Sequence, residues 1–121
     1  MLITRPNHDI ATNYLYYWSV ILINLAKKRG MLVSDLAKER ANPLEFTSVV
    51  TKTKPKLIVF NGHGDDSADT GQNNETLVQV DKNHYLLKGS VVYARSCKSA
   101  HKLGPKAVIV GYSAYIGYDE D

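Results

Sequence analysis

The chain has 121 residues, of which 44% are hydrophobic and 22% charged, and its formal net charge is +3. These values predict one soluble globular domain with a substantial core. The basic excess is small and scattered, which argues against nucleic-acid binding. A single cysteine cannot form an internal disulfide, so we expect a cytoplasmic setting. The longest apolar stretch, residues 14–25, is too short to span a bilayer and lacks the features of a signal peptide.

The first third of the chain predicts a strand, a long helix and a second strand. Residues 1–4 form the first apolar run, and residues 31–34 form the second. Asp9 is a suitable N-cap for the intervening helix, and Gly30 is placed to end it in a left-handed conformation. A strand–helix–strand unit of this kind predicts parallel strands with a right-handed crossover. The apolar residues at helical spacing are Ile10, Tyr14, Tyr17, Trp18, Ile21 and Leu25.

The middle of the chain predicts a second helix followed by a central strand. Asn42 and Pro43 are typical of an N-cap and a first helical position, and the helix must end before Pro55. The apolar run within residues 56–64 indicates a strand buried on both faces. The remaining predicted segments are a polar loop over residues 65–75, a small hairpin from 76–80 and 85–87, a strand over 90–94, a short helix over 97–103, a strand over 107–110 and a glycine-rich tail over 111–118. This order predicts a three-layer α/β/α sandwich with a mainly parallel sheet.

His63 and Cys97 follow the two buried strands and are the candidate catalytic residues. Parallel sheets carry their ligands at the carboxyl ends of the strands, so both side chains are expected at one edge. An imidazole can take the proton of a thiol and later protonate a leaving amine. The backbone N–H groups of Gly64 and Cys97 are candidate oxyanion-hole donors. No third member of the set is evident, although Asp65 and Asp66 lie close to His63 in sequence.

Structural interpretations compete with the catalytic one for several of these residues. A lone cysteine after a buried strand is most often a small core residue, and a lone histidine in a glycine turn is most often structural. The remaining histidines, His8, His84 and His101, are scattered, and without a second cysteine the sequence predicts no zinc site. The glycines around His63 lack the spacing of a phosphate-binding motif. The tyrosines of the first helix favour helix packing over base stacking.

The two strand ends resemble cysteine peptidases of the caspase fold. Residues 57–64 (LIVFNGHG) and 91–100 (VVYARSCKSA) match the pattern of an apolar strand entering His-Gly and a second strand ending at the catalytic cysteine. This group comprises caspases, metacaspases, legumain, gingipains, separases and CHAT domains. The two sequence motifs of this chain are most similar to those of the gingipain and CHAT branches. Arg95 and Ser96, which precede the candidate nucleophile, differ from the caspase motif at those positions. This difference argues against strict cleavage after aspartate.

This resemblance implies a caspase-like fold and a cysteine endopeptidase that acts on proteins or peptides. It assigns His63 as general base and acid, Cys97 as nucleophile and the Gly64 amide to the oxyanion hole. No metal or organic cofactor is needed for that chemistry. Domains of this group are usually longer, so we expect residues 1–121 to be a single caspase-like domain that is either the N-terminal part of a longer peptidase domain or a reduced member of the group. The expected partners are the substrate and either a C-terminal remainder of the domain or a second copy, with no nucleic acid or membrane.

Two other functions remain open at the level of the sequence. One is a caspase-like domain without activity that serves as an interaction or regulatory module. The other is a flavodoxin-like or receiver-like domain that binds a small ligand at the sheet edge. A receiver would require an acidic pair after the first strand, and Arg5-Pro6-Asn7 stands there instead.

Overall fold

In the computed structural model, the described residues are 1–64, 68–79, 81–95 and 114–116. They form an α/β structure with a five-stranded parallel sheet, in the order β2-β1-β3-β6-β7, and a separate antiparallel pair, β4-β5. The elements are β1 (Leu2–Arg5), α1 (Ile10–Lys28), β2 (Ser34–Ala37), α2 (Pro43–Thr53), β3 (Leu57–Asn61), β4 (Ala68–Thr70), β5 (Thr76–Gln79), β6 (Val91–Arg95) and β7 (Ala114–Ile116). Short 3₁₀ turns occupy Lys38–Arg40, Gln72–Asn74 and His84–Leu87.

Capping residues set the start of both helices, and a glycine follows the end of α1. The side chain of Asp9 accepts from the Thr12 N–H at the start of α1, and the Thr12 hydroxyl closes a capping box with the Asp9 backbone. Gly30 follows α1 with a φ of +80°, a conformation that costs glycine little. Asn42 caps α2 through the Glu45 N–H, and Pro43 takes the first position. The predicted caps are confirmed.

Alternate residues along the strands pack against helices on opposite faces of the sheet. One face forms the larger core, in which the rings of Phe46 from α2 and Phe60 from β3 lie 5.4 Å apart. The other face packs Ile3 and Val59 against Ile23 of α1. A helix therefore covers each face, which agrees with the predicted layers, and the central strands are buried on both sides as their continuous apolar runs indicate.

The β4-β5 pair lies on the α2 side of the sheet. Leu77 and Val78 of β5 are fully buried in the larger core. The turn before β5 approaches the chain closely, since a Cβ placed on Gly71 would lie 2.0 Å from the carbonyl oxygen of Ala41. The Gln72 N–H donates to that same oxygen at 2.8 Å. The insertion between β3 and β6 is thus anchored to the domain.

Three of the predicted elements were wrong in detail. The second strand lies at Ser34–Ala37 rather than residues 31–34, because Ser34 pairs with Leu2 at the start of β1. The strand Thr76–Gln79 pairs with Ala68–Thr70, inside the segment predicted as loop, and His84–Leu87 is a 3₁₀ turn rather than the second half of a hairpin. The predicted elements over 97–103 and 107–110 lie outside the described residues.

Helix α1 also differs from expectation in the face that it buries. Its buried residues are Thr12, Ser19, Ile23 and Ala26, whereas Tyr14 and Tyr17 are mostly exposed. The apolar spacing correctly predicted a helix, but it did not show which side of the helix meets the sheet. The expected packing of the helix tyrosines is therefore wrong for Tyr14 and Tyr17, whereas Tyr16 is half-buried and lies against the guanidinium of Arg5.

Candidate functional site

The candidate site lies where the chain reverses its direction across the sheet. Strand β1 lies between β2 and β3. The chain therefore forms β2 on one side of β1 and then crosses over to form β3 on the other side. Ligands of open α/β sheets bind at such a switch point, beyond the carboxyl ends of the strands. His8 and Asp9 follow β1, and His63 follows β3. A Cβ on Gly62 would lie 2.9 Å from the carbonyl oxygen of Thr70, so this approach to His63 requires glycine.

His63 forms a short hydrogen bond with Asp9. The distance between His63 Nε2 and Asp9 Oδ2 is 2.5 Å, and the two side chains are 38% and 40% exposed. The other carboxylate oxygen, Oδ1, accepts from the backbone N–H and the hydroxyl of Thr12 at 2.9 and 2.8 Å. Asp9 is therefore both the N-cap of α1 and the partner of the histidine.

Charge fixes the direction of this hydrogen bond. The Thr12 backbone N–H, followed by the Thr12 hydroxyl and His63, lowers the pKa of Asp9 from 3.8 to about 2. Asp9 is consequently a carboxylate near neutral pH, and the proton between the two groups is carried by Nε2 of His63. In the neutral imidazole the lone pair then lies on Nδ1, which makes Nδ1 the basic atom.

His8 packs edge-on against His63 and has a defined tautomer of its own. The ring centroids are 5.9 Å apart. The backbone N–H of Asn73 donates to His8 Nδ1 at 3.1 Å, so Nδ1 carries no proton. The proton of the neutral ring is then on Nε2, which lies 3.1 Å from the side-chain oxygen of Asn74. His8 thus ties the start of α1 to the turn before β5.

His8, Asp9 and His63 offer ligand atoms that lie within 4.8 Å of one another. Two imidazoles and a carboxylate are a donor set that suits zinc. A metal-bound histidine, however, normally donates its second ring N–H to an acceptor. His8 does the reverse, because its Nδ1 accepts from a backbone N–H and its Nε2 must keep the proton. The arrangement therefore fits a hydrogen-bonded histidine–aspartate pair better than a metal centre.

The structure describes only part of the predicted catalytic set. His63 and Gly64 are described, whereas Cys97, and with it the second oxyanion-hole amide, lies outside the described residues, as do Asp65 and Asp66. The backbone at His63 is held firmly, since its carbonyl accepts from the N–H and the hydroxyl of Thr70 at 3.0 and 2.6 Å. Gly64 forms an isolated bridge with Asp69.

The register between β3 and β6 bears on the predicted pair. The two strands are adjacent and parallel, and their last residues, Asn61 and Arg95, are paired. His63 and Cys97 each follow by two residues in the sequence. The two strands therefore end together at the same carboxyl edge of the sheet, and Cys97 itself lies outside the described residues.

Two polar groups at this edge have no partner within the described part of the chain. They are Oδ1 of Asn61 and Nη1 of Arg95, and both atoms are buried. The guanidinium of Arg95 lies over the ring of Trp18, 3.9 Å from its centroid. The edge between β3 and β6 therefore has hydrogen-bonding capacity that the described residues leave unused.

Asp9 is the site residue that sequence reasoning missed. The sequence marks it only as a helix cap, because it lies 54 positions from His63 in the chain. The signal that could have found it is topological. A residue that follows β1 lies at the same sheet edge as one that follows β3, because the strands are parallel neighbours.

Comparison with protein-family models, with curated proteins and with solved structures finds no match for this chain. None of the helices formed by residues that the structure describes is both long and apolar enough to cross a membrane.

Proposed function

We propose that the protein is a cysteine-type endopeptidase in which Cys97 is the nucleophile, His63 the general base and acid, and Asp9 the residue that orients His63. The observation that carries this proposal is the 2.5 Å contact between Nε2 of His63 and the Asp9 carboxylate. It leaves Nδ1 as the basic atom of the neutral ring. The paired ends of β3 and β6 support the placement of a thiol beside that ring.

The proposed reaction has two steps. In the first, Nδ1 of His63 takes the thiol proton, Sγ of Cys97 bonds to the carbonyl carbon, and the carbonyl oxygen becomes an anion facing the amides of Gly64 and Cys97. The C–N bond then breaks, and the imidazolium gives its proton to the leaving amine. In the second step, water loses a proton to His63 and bonds to the thioester carbon. The C–S bond then breaks to release the acid, and the imidazolium returns its proton to Sγ of Cys97. Asp9 stabilises the imidazolium in both steps.

The caspase-like fold is part of this proposal. The strand order β2-β1-β3-β6-β7 and the histidine and cysteine two residues beyond adjacent strands support it. The resemblance of residues 57–64 and 91–100 to the gingipain and CHAT branches points to proteins or peptides as the substrates.

Binding of a small ligand is the second candidate, because the same residues lie at the switch point. The anionic ligands common at such points bind the N-terminus of the first helix. In this protein the Asp9 carboxylate already occupies the N-terminus of α1 and would repel a phosphate. That observation favours the peptidase over a nucleotide- or flavin-phosphate-binding domain.

The test is the rate at which iodoacetamide alkylates Cys97 across pH 5 to 10 in the wild type, in His63→Ala and in His84→Ala as a matched control. We expect the wild type and the control to react well below the ordinary thiol pKa of about 8.5, and His63→Ala to lose that advantage. Slow reaction confined to high pH in all three proteins would refute the dyad. An inactive caspase-like module or a ligand-binding domain would then be the better description.

A further inference from the structure

The outward face of helix α1 is apolar, although nothing in the described part of the chain covers it. Two of the residues that point toward the sheet are the polar residues Thr12 and Ser19, and both are fully buried. The residues on the opposite side are Ile10, Tyr14, Tyr17 and Ile21, which are 91%, 68%, 63% and 67% exposed. The buried side also holds Ile23 and Ala26, so both sides of this helix are apolar, whereas a surface helix usually has one polar side. We call the four exposed residues the α1 seam.

The α1 seam is large and carries no charge. The sequence from Ile10 to Ala26 has no acidic or basic residue. Trp18, whose ring contacts the guanidinium of Arg95, and Leu25 border the seam on one flank and are 41% and 49% exposed. From typical side-chain areas the six residues expose roughly 700 Å². This value exceeds the largest apolar patch of a typical monomer, roughly 300–600 Å², and is close to the roughly 800 Å² that each partner contributes to a stable interface.

The order of residues in the seam indicates that a second copy of this chain binds it. The successive spacings are four, three and four residues, and the residue types read Ile, Tyr, Tyr, Ile, so the seam is the same in both directions. A two-fold axis between Tyr14 and Tyr17 would place Ile10 against the partner's Ile21 and Tyr14 against the partner's Tyr17. A surface that matches itself under a two-fold rotation is the requirement for an isologous dimer. Spacings of three and four also suit the seam of two packed helices.

We infer that the α1 seam is the interface of an antiparallel homodimer. The antiparallel arrangement brings opposite ends of the two helix dipoles together. Lys27 and Lys28 lie beyond the end of the seam, so pairing of its four residues buries no charged side chain of α1. A membrane-surface helix would instead carry basic residues along the borders of its apolar face, whereas these lie at one end only. This inference does not depend on the proposed peptidase activity.

The test is sedimentation equilibrium of the full chain over a range of micromolar concentrations, with charge-swap variants. We expect the wild type to form a dimer, and Ile10→Glu and Ile21→Lys each to shift it toward the monomer by at least tenfold in dissociation constant. The double variant Ile10→Glu/Ile21→Lys should regain the dimer, because the antiparallel register places each glutamate against the partner's lysine. Leu44→Glu, at an equally exposed apolar residue of α2 outside the seam, is the matched control and should remain dimeric.

Far-UV circular dichroism establishes that each variant is folded before it is compared. A wild type that is monomeric throughout the range would overturn the inference. So would a dimer that both single variants leave intact, since the interface would then lie elsewhere. Failure of the double variant to recover, with the single variants monomeric, would refute the antiparallel register. Binding of a monomeric wild type to anionic phospholipid vesicles would assign the seam to a lipid surface instead.

Discussion

Replacing Asp9 with asparagine tests the proposed orientation of His63. Asparagine and aspartate are equally good N-caps, so the start of α1 should be preserved. The single side-chain oxygen of asparagine would accept hydrogen bonds from the N–H and the hydroxyl of Thr12, which in the native protein both donate to Oδ1. The amide nitrogen would then face His63 in place of Oδ2. Because both groups would be donors there, Nε2 of His63 must give up its proton and the neutral ring must adopt the opposite tautomer.

The structure also sets the size of this effect. A hydrogen bond to a charged group contributes about 1.5–3 kcal/mol. Both side chains of the pair are more than a third exposed, so water screens the interaction and the lower end applies. A loss of about 1.4 kcal/mol in the thiolate–imidazolium state corresponds to about a tenfold slower alkylation of Cys97 near pH 6. Nitrogen NMR of the labelled imidazole should show the proton of His63 moving from Nε2 to Nδ1.

A serine at the same position provides the control. Serine is also a good N-cap, but its short side chain cannot reach His63, so it removes the partner without imposing a tautomer. We expect alkylation in Asp9→Ser to be slowed less than in Asp9→Asn, while both variants unfold within about 0.5 kcal/mol of each other. Equal rates in the wild type and Asp9→Asn, with the tautomer unchanged, would show that Asp9 does not orient the histidine.

Two further predictions concern stability. The pKa of Asp9 is lowered to about 2, so its stabilising contribution is complete above pH 3.8 and is lost as the pH falls toward 2. The urea midpoints of the wild type and of Asp9→Asn should therefore converge as the pH falls through that interval. A difference between the midpoints that stays constant would contradict the assignment. Asp35→Asn should destabilise the fold by about 2–3 kcal/mol in urea unfolding, because it leaves the 9%-exposed Arg5 side chain without its ion pair. Glu45→Gln, in the exposed 3.9 Å pair with Arg40, should cost less than about 0.5 kcal/mol, and equal costs would refute this ranking.

The sequence was sufficient for those features that neighbouring residues determine. Asp9, Asn42 and Pro43 mark helix starts through contacts within one turn, and the structure confirms them. The run within Leu57–Asn61 showed burial on both faces because no polar residue interrupts it before the strand end. These signals are local, so no knowledge of the remaining chain was needed.

Features that depend on distant partners could not be read from the sequence. The position of β2 follows from the pairing of Ser34 with Leu2, not from the apolarity of residues 31–34. The pairing of β4 with β5 was missed because β4 is three residues long and contains Asp69. The contact between Asp9 and His63 joins residues 54 positions apart. Only the order of strands in the sheet brings them together.

One side chain connects the folding of α1 to the chemistry proposed at the sheet edge. Asp9 uses Oδ1 to hold the first turn of the helix and Oδ2 to hold His63, so the orientation of the imidazole depends on the helix being formed. The same turn is tied to the β4-β5 region, since Asn73 donates to His8 and Asn7 donates to the Gln72 side chain. A change that loosens this region should therefore disturb the histidine before it unfolds the sheet. The site is accordingly expected to be the part of the fold most sensitive to substitutions in residues 72–74.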